Sequence, residues 1–249
     1  MSCLKNQLFM KSIFTSFILV ILLFSSCNEA PLTGDTLLDK AINYHDPNSN
    51  WNTFDGVFNV RMKTPNNSDR LSSISINIPE DMFSLIATRD TTTTQYTLNK
   101  DECIIGLNGV ANIDEATAKA NDLNCERGVF MKNYYTYLYG LPMKLKDPGT
   151  HIDKTIETKT FKGKEYLVLK ATYDKEVGTD NWYFYFNPET YAMEVYQFFK
   201  QDENGNQKDD TGEYILLTEE AIVNDIKMPK TRAWYYNKDD KYLGTDILE

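Results

Sequence analysis

Apolar and polar side chains alternate with a period of two over much of the chain, which predicts antiparallel β-strands with one solvated face. The stretch FNVRMK places Phe58, Val60 and Met62 on one face, and SISINIP places three isoleucines inward. Similar stretches continue to Asn108-Gly109 and resume in the second half of the chain, where Lys162-Gly163 predicts a hairpin turn. We count roughly nine to eleven strands from this pattern.

A helical period replaces the alternation in three stretches. The first, TGDTLLDKAINYHDP, has an apolar stripe from Leu37 to His45 and ends at Pro47. The second, NIDEATAKANDL, is short and polar, whereas the third, RGVFMKNYYTYLYGLP, is apolar almost all round. A helix of this last kind is either fully buried or lines a cavity. Its main stripe comprises Phe130, Tyr134, Tyr137, Leu138 and Leu141.

Strands on both sides of a helical insertion, with one more helix at the start, are typical of an α+β fold. We predict a large, curved antiparallel β-sheet, an incomplete barrel, with helices covering one face. About 220 residues follow the leader described below, enough for one well-cored domain. We therefore expect a single half-barrel domain over residues 36–249.

The most aromatic stretch, WYFYFNPETYAMEVYQFF, predicts a β-hairpin that turns at NPET, residues 187–190. This turn places Trp182 opposite Val195, and directly opposed residues share a face. The other face, with Glu194 and Tyr196, is expected to be wet. The expected dry face comprises Trp182, Phe184, Phe186, Tyr191, Met193 and Val195.

Two interpretations of the dry face stay open. It packs on the third helix as ordinary core, which is the usual role of apolar strand faces. Alternatively, sheet and helix do not fully meet and leave an apolar cavity, for which aromatic and methionine side chains are well suited. The candidate lining residues are Trp182, Phe184, Phe186, Met193, Val195, Phe130, Tyr134, Tyr137 and Leu138.

The first 26 residues have the organisation of a secretory signal peptide: Lys5 and Lys11 precede a near-apolar run from Ile13 to Phe24. The run is shorter than the about 20 apolar residues that a membrane-spanning helix needs, so a transmembrane anchor is the less favoured alternative. LFSSC resembles the lipobox of bacterial lipoproteins, which implies that Cys27 is acylated and that residues 27–35 form a short tether. The expected location is the bacterial cell envelope, lipid-anchored to the outer membrane.

Charge and cysteine content narrow the expected partners and compartment. Without the leader, 24 basic residues stand against 36 acidic ones, a formal charge of −12. Because of this negative charge, we expect no nucleic acid partner. The expected partner is a membrane, to which the lipid anchor attaches the protein. Cys103 and Cys125 are the two cysteines left in the mature chain, and in an oxidising compartment we predict a disulfide between them. Two buried free thiols are the alternative.

The sequence contains no recognised catalytic, phosphate-binding or dinucleotide-binding motif, and we predict no enzyme activity, no metal and no cofactor. Of its two histidines, His45 falls on an apolar helix stripe, which indicates a structural role, and His151 lies in a predicted loop beside Asp153. The stretch DENGNQKDDTGE partly matches a calcium-binding loop. Because Gln207 stands where such a loop needs glycine, a solvated hairpin loop is the favoured interpretation.

Three segments carry a family resemblance: YYTYLYGLPMKLKDPG, FKGKEYLVLKATYD and WYFYFNPETYAMEVYQF resemble uncharacterised lipoproteins of the Bacteroidota with a domain of unknown function. The element order is similar to the architecture of the Lol-type lipoprotein carriers, in which an incomplete barrel covered by helices receives acyl chains. The resemblance implies non-enzymatic binding of an acyl chain of a lipid or lipoprotein. The alternatives are a structural lipoprotein that docks an envelope protein partner, and an enzyme with an unrecognised site.

Overall fold

The computed structural model describes residues 31–249, so the predicted leader and Cys27 lie outside the described residues. Residues Thr33–Glu249 form one compact unit. Within the described residues, no helix is long and apolar enough to span a membrane. The helices of this unit are α1 (Gly34–His45), α2 (Glu115–Ala120) and α3 (Cys125–Gly140), and single 3-10 turns cover Asn50–Thr53 and Met143–Lys146.

Fourteen antiparallel strands form one sheet. The sheet is large and curved, which confirms that part of the prediction. The strand order across the sheet is β6-β5-β4-β3-β2-β1-β14-β13-β12-β11-β10-β9-β7, and β8 pairs separately with β9. Because β6 and β7 form its two edges, the sheet is not closed. The strands are β1 (Asp55–Thr64), β2 (Asn67–Asn77), β3 (Met82–Arg89), β4 (Thr92–Asn99), β5 (Glu102–Leu107), β6 (Val110–Ala111), β7 (Thr150–Ile152), β8 (Glu157–Phe161), β9 (Lys164–Tyr173), β10 (Asn181–Phe186), β11 (Met193–Phe199), β12 (Glu213–Val223), β13 (Ile226–Tyr236) and β14 (Tyr242–Leu248).

The sheet consists of two meanders, one before and one after the helical segment, and the pairing of β1 with β14 joins them. The strand count exceeds the predicted nine to eleven for two reasons. The stretch counted as one strand before Asn108-Gly109 is divided into β4 and β5, and strands β6 and β7 have only two and three residues. Segments this short show no alternation that a sequence pattern can reveal.

The inner face of the sheet, on which Phe58, Ile74 and Phe184 are buried, carries the main core. Helix α1 packs on β9 and β13, and α3 packs on β3, β4 and β5. In α1, Leu37 and Leu38 of the predicted stripe are both fully buried. The helices therefore contribute their apolar side chains to the same core as the inner face.

Candidate functional site

The β10–β11 hairpin contains most of the predicted lining residues, and its register differs from the prediction. Phe186 pairs with Met193 and Tyr185 pairs with Val195, so that Glu194 is an extra residue in β11. An extra residue of this kind is a β-bulge, and it reverses the alternation of every residue that follows.

The bulge changes which residues share a face. Val195 lies on the outer face in a cluster with Tyr185, which corrects its predicted place beside the dry residues. Tyr196, predicted to be wet, pairs with Phe184 and is fully buried on the inner face. Tyr191 belongs to the loop and not to a strand. The residues that keep their predicted inner face are Trp182, Phe184, Phe186 and Met193.

The loop between these strands explains the shifted register. The Asn187 side chain accepts hydrogen bonds from the backbone N–H groups of Glu189 at 2.9 Å and Thr190 at 3.1 Å. The Asn187 N–H donates to the Ala192 carbonyl at 2.9 Å. Tyr191 has a φ of 64°, a conformation rare for a bulky residue. The connection is thus wider than the NPET turn that the sequence predicts.

The buried side of helix α3 shares only Leu138 with its predicted stripe, and Leu141, just after the helix, is buried as well. Phe130 is 53% exposed, and its ring stacks on Tyr134 with centroids 6.2 Å apart. Tyr135 instead faces the sheet and stacks against Phe83 at 6.5 Å. The reason is that α3 packs on β3 to β5, which rotates its buried side away from β10. The buried line comprises Met131, Tyr135, Leu138 and Tyr139.

Two tyrosines at the boundary of the buried line bridge from α3 to the second meander. Tyr134 stacks on Trp234 of β13 with centroids 6.3 Å apart. Tyr137 meets Trp182 of β10 edge to face at 5.5 Å, and its hydroxyl hydrogen-bonds the Tyr173 hydroxyl. The backbone of α3 lies nearest to β3, β4 and β5. The distance from α3 to the second meander is therefore larger, and the long side chains of Tyr134 and Tyr137 span it.

A continuous set of aromatic rings thereby joins α3 to β10, β11 and β13. Tyr196 lies at its centre, with its ring centroid 6.1 Å from Trp182 and 6.2 Å from Trp234. Phe198 stacks on Trp182 at 4.8 Å. The rings that stay partly or largely exposed form what we call the aromatic patch: Phe130, Tyr134, Trp182, Phe198 and Trp234.

Burial shifts the pKa of several side chains in and beneath the patch. Burial raises the pKa of the Tyr134 and Tyr139 hydroxyls well above 10, and it raises the pKa of Tyr196 as well. Burial also raises the pKa of the Asp246 carboxyl, although the nearby Arg232 acts in the opposite direction. The tyrosines therefore stay protonated at neutral pH and can donate hydrogen bonds.

Sequence reasoning missed the contributions of Tyr196, Phe198 and Trp234 to this site. For Trp234 the pattern was misleading, because in KMPKTRAWYY it shares a face with Arg232, and a charged residue predicts a solvated face. Tyr196 and Phe198 had no usable signal, since their faces depend on the bulge at Glu194.

The remaining candidates lie elsewhere. Cys103 and Cys125 are joined in a disulfide that ties β5 to the start of α3. His45 is 1% exposed, with one ring nitrogen 2.7 Å from the Lys227 carbonyl and the other 2.9 Å from the Met193 N–H. The His151 ring contacts Asp174, and not Asp153, at 2.7 Å on the surface.

The predicted calcium-like loop uses its first carboxylate internally. Asp202 accepts hydrogen bonds from the backbone N–H groups of Asn204 at 2.9 Å and Asn206 at 2.8 Å. The Asn206 side chain also donates to Asp202, at 3.1 Å. This side-chain bond, together with the two backbone bonds, holds the pKa of the Asp202 carboxyl below its usual range. Among residues 31–249, no group of three or more His, Cys, Asp or Glu side chains is placed to hold a metal ion.

Fold and site together define an α+β protein with an open antiparallel sheet and an aromatic patch at the sheet–helix boundary. The chain belongs to DUF6503, a family of unknown function, whose model matches residues 11–248. The match agrees with the predicted domain of unknown function, and the assignment to Bacteroidota lipoproteins stays a prediction. No curated protein matches the chain.

Two solved structures are similar at low identity. A DUF1329 family protein from Desulfovibrio piger ATCC 29098 is 7% identical with a TM-score of 0.47, and the alignment covers 87% of this chain and 91% of that one. MucB in complex with MucA(peri) is 8% identical with a TM-score of 0.26, over 86% of this chain and 92% of that one. Neither likeness assigns a function to this chain.

Proposed function

We propose that this protein binds the acyl chain of a lipid or lipoprotein on the aromatic patch, without catalysis. The observation that carries the proposal is the patch itself: five partly exposed aromatic rings lie at one boundary between α3 and the sheet. Clustered aromatic side chains that stay partly exposed are typical of binding sites for hydrophobic partners. Helices α1 and α3 would cover the inner face and shield the bound chain.

The energetics favour an acyl chain over a small polar ligand. Each methylene removed from water contributes about 0.8 kcal/mol, so ten methylenes contribute on the order of 8 kcal/mol before the costs of association. Phe130, at the rim of the patch, is 53% exposed, which gives a chain an entry from solvent. No covalent chemistry is required of any residue.

The proposed setting is the bacterial cell envelope. Acylation of Cys27 would hold the compact unit close to the outer membrane through residues 27–35, and a signal peptide over residues 1–26 would export it. A triacylated cysteine gives stable anchoring, which a single chain does not. The ligand would then come from the membrane to which the protein is attached.

Lipid that stays bound during purification tests this function. The chain from Asn28 to Glu249, which retains the whole compact unit, should carry lipid that native mass spectrometry detects. Replacing Trp182 and Trp234 together by alanine should remove most of it, because both rings belong to the patch. Val195→Ala is the matched control, since Val195 is buried on the outer face and should leave the lipid in place. A lipid-free wild-type chain would contradict the proposal.

A second function, docking of an envelope protein partner, is favoured by one feature of the outer face. Leu71, Ile86 and Ile104 project from β2, β3 and β5 and are 43%, 42% and 39% exposed. Leu71 and Ile86 lie on neighbouring strands, and exposed apolar residues in such a position are typical of a protein contact. Crosslinking in cells through residue 86 should then capture one reproducible partner, whereas crosslinks to lipid alone would contradict it.

A further inference from the structure

A row of charged side chains crosses the inner face beside the aromatic patch. The register pairs Arg232 with Asp246, Asp246 with Met62, Met62 with Arg70, and Arg70 with Arg89. Directly paired residues share a face, so these side chains line up across β13, β14, β1, β2 and β3. We call the charged members, Arg70, Arg89, Arg232 and Asp246, the arginine row.

The arginine row has unused hydrogen-bond donors. The Nε atoms of Arg70, Arg89 and Arg232 are buried and have no hydrogen-bond partner within residues 31–249. Arg232 is 1% exposed and donates from Nη1 to the Pro229 carbonyl at 2.8 Å, while Arg70 donates from Nη2 to the Tyr135 hydroxyl at 3.2 Å. Among residues 31–249, no ion pair with a nitrogen–oxygen distance of 4.0 Å or less includes a member of the arginine row.

Buried hydroxyl groups lie around Arg70 and Arg232. The Arg232 guanidinium carbon lies 3.8 Å from the ring centroid of Tyr139. The hydroxyls of Tyr139, Tyr196 and Ser72 are buried and make no hydrogen bond of 3.5 Å or less within the described residues. Arg232 lies near enough to the Tyr196 hydroxyl to lower its pKa, against the larger effect of burial. Folded proteins satisfy nearly all buried polar groups, so these six atoms, five of them around Arg70 and Arg232, are available to a bound polar group or to ordered water.

The charge of such a bound group follows from the arginine row. Three guanidinium groups and one carboxyl leave an excess of positive charge in a chain whose formal net charge is −10. A cation would be repelled, and a neutral polar group would leave buried charge uncompensated. Guanidinium groups match the oxygen geometry of carboxylates and phosphates, to which they donate paired hydrogen bonds.

We propose that the arginine row binds the anionic head group, a carboxylate or a phosphate, of the amphiphile whose acyl chain lies on the aromatic patch. This inference rests on the proposed function. Trp234 connects the two sites, since it lies two residues after Arg232 on the same face of β13 and stacks on Tyr134 of the patch. One ligand can therefore reach both, with its chain over the rings and its head against Arg232.

A head-group series tests this without any substitution. Delipidated protein from Asn28 to Glu249 is titrated calorimetrically with hexadecanoate, hexadecyl phosphate, hexadecanol and hexadecyltrimethylammonium. The two anions should bind at least tenfold tighter than the alcohol, the ammonium should bind weakest, and the tighter anion identifies the head group. If the alcohol binds as tightly as both anions, the head-group site is refuted and the acyl-chain site survives. If no amphiphile binds, both are refuted.

Substitutions locate the anion preference. Arg70→Gln and Arg232→Gln should each lose most of the tenfold preference, because affinity for the anions falls much more than affinity for hexadecanol. Arg70 is only partly buried, so its variant is expected to fold even if Arg232→Gln does not. The control is Arg61→Gln, which alters an arginine that pairs with Glu249 at 2.5 Å at the surface. Retention of the full preference by Arg70→Gln would overturn the assignment.

Discussion

His45 shows what a single buried residue does for this fold. Its two ring nitrogens lie against a carbonyl, which can only accept, and a backbone N–H, which can only donate. The ring must therefore be neutral, with its proton on Nδ1. In this form it fastens the end of α1 to β11 and β13 at once, and this geometry fits the structural role predicted from its place on the helix stripe.

The buried ring predicts a pH-dependent stability. Burial lowers the pKa of His45 below its usual 6.5, so the folded state resists the proton that the unfolded chain accepts. As pH falls below about 6.5, the free energy of unfolding should decrease by up to about 1.4 kcal/mol per pH unit, until the folded pKa is reached. Urea unfolding at pH 7.5, 6 and 5 measures this.

The control for that effect is His45→Gln. It should lower the free energy of unfolding at pH 7.5 by about 1–3 kcal/mol, because buried hydrogen-bonding groups lose their partners. The difference between wild type and this variant should shrink towards low pH. A difference that stays constant from pH 7.5 to 5 would show that His45 does not titrate as proposed.

Among the elements, the Cys103–Cys125 bridge is the most testable. It spans a sequence separation of 22 residues that includes β6 and α2, and it ties β5 to the start of α3. Closing a loop of this size limits the unfolded chain and stabilises the fold by about 3 kcal/mol. Reduction with dithiothreitol should therefore lower the free energy of unfolding by about that amount, as measured by denaturant titration.

A double substitution separates the bridge from other effects of the reductant. The variant with Cys103→Ser and Cys125→Ser should match the reduced wild type in stability and should show no response to dithiothreitol. If the wild type also shows no response, the two cysteines are free thiols, which is the alternative that the sequence left open.

The elements also show where sequence patterns succeed. The stripe of α1 was predictable because local periodicity and the Pro47 stop both lie within a few residues. The face on which Val195 lies was not predictable. The bulge at Glu194 exchanges the inner and outer faces for every later residue of β11, and the sequence pattern does not reveal the bulge. The orientation of α3 was not predictable either, since a helix that is apolar almost all round takes its direction from the strands it meets.

At the scale of the whole molecule, the open antiparallel sheet followed from the count and spacing of strands. The pairing of β1 with β14 did not, because it joins residues nearly 190 positions apart, such as Val60 and Leu248. That pairing also creates the arginine row, by bringing Asp246 beside Met62 and so between Arg232 and Arg70. A charged interior in an acidic chain is thus a property of the topology and not of any local motif.

The central claim is that an acyl chain lies on the aromatic patch, and photocrosslinking tests it most directly. Purified protein from Asn28 to Glu249 is incubated with a hexadecanoic acid that carries a diazirine near its methyl end, irradiated and digested for mass spectrometry. We predict that the crosslinks map to α3, β10 and β13, at Tyr134, Trp182 or Trp234. Crosslinks confined to the outer face, at Leu71, Ile86 or Ile104, or a protein that stays unlabelled, would contradict the account.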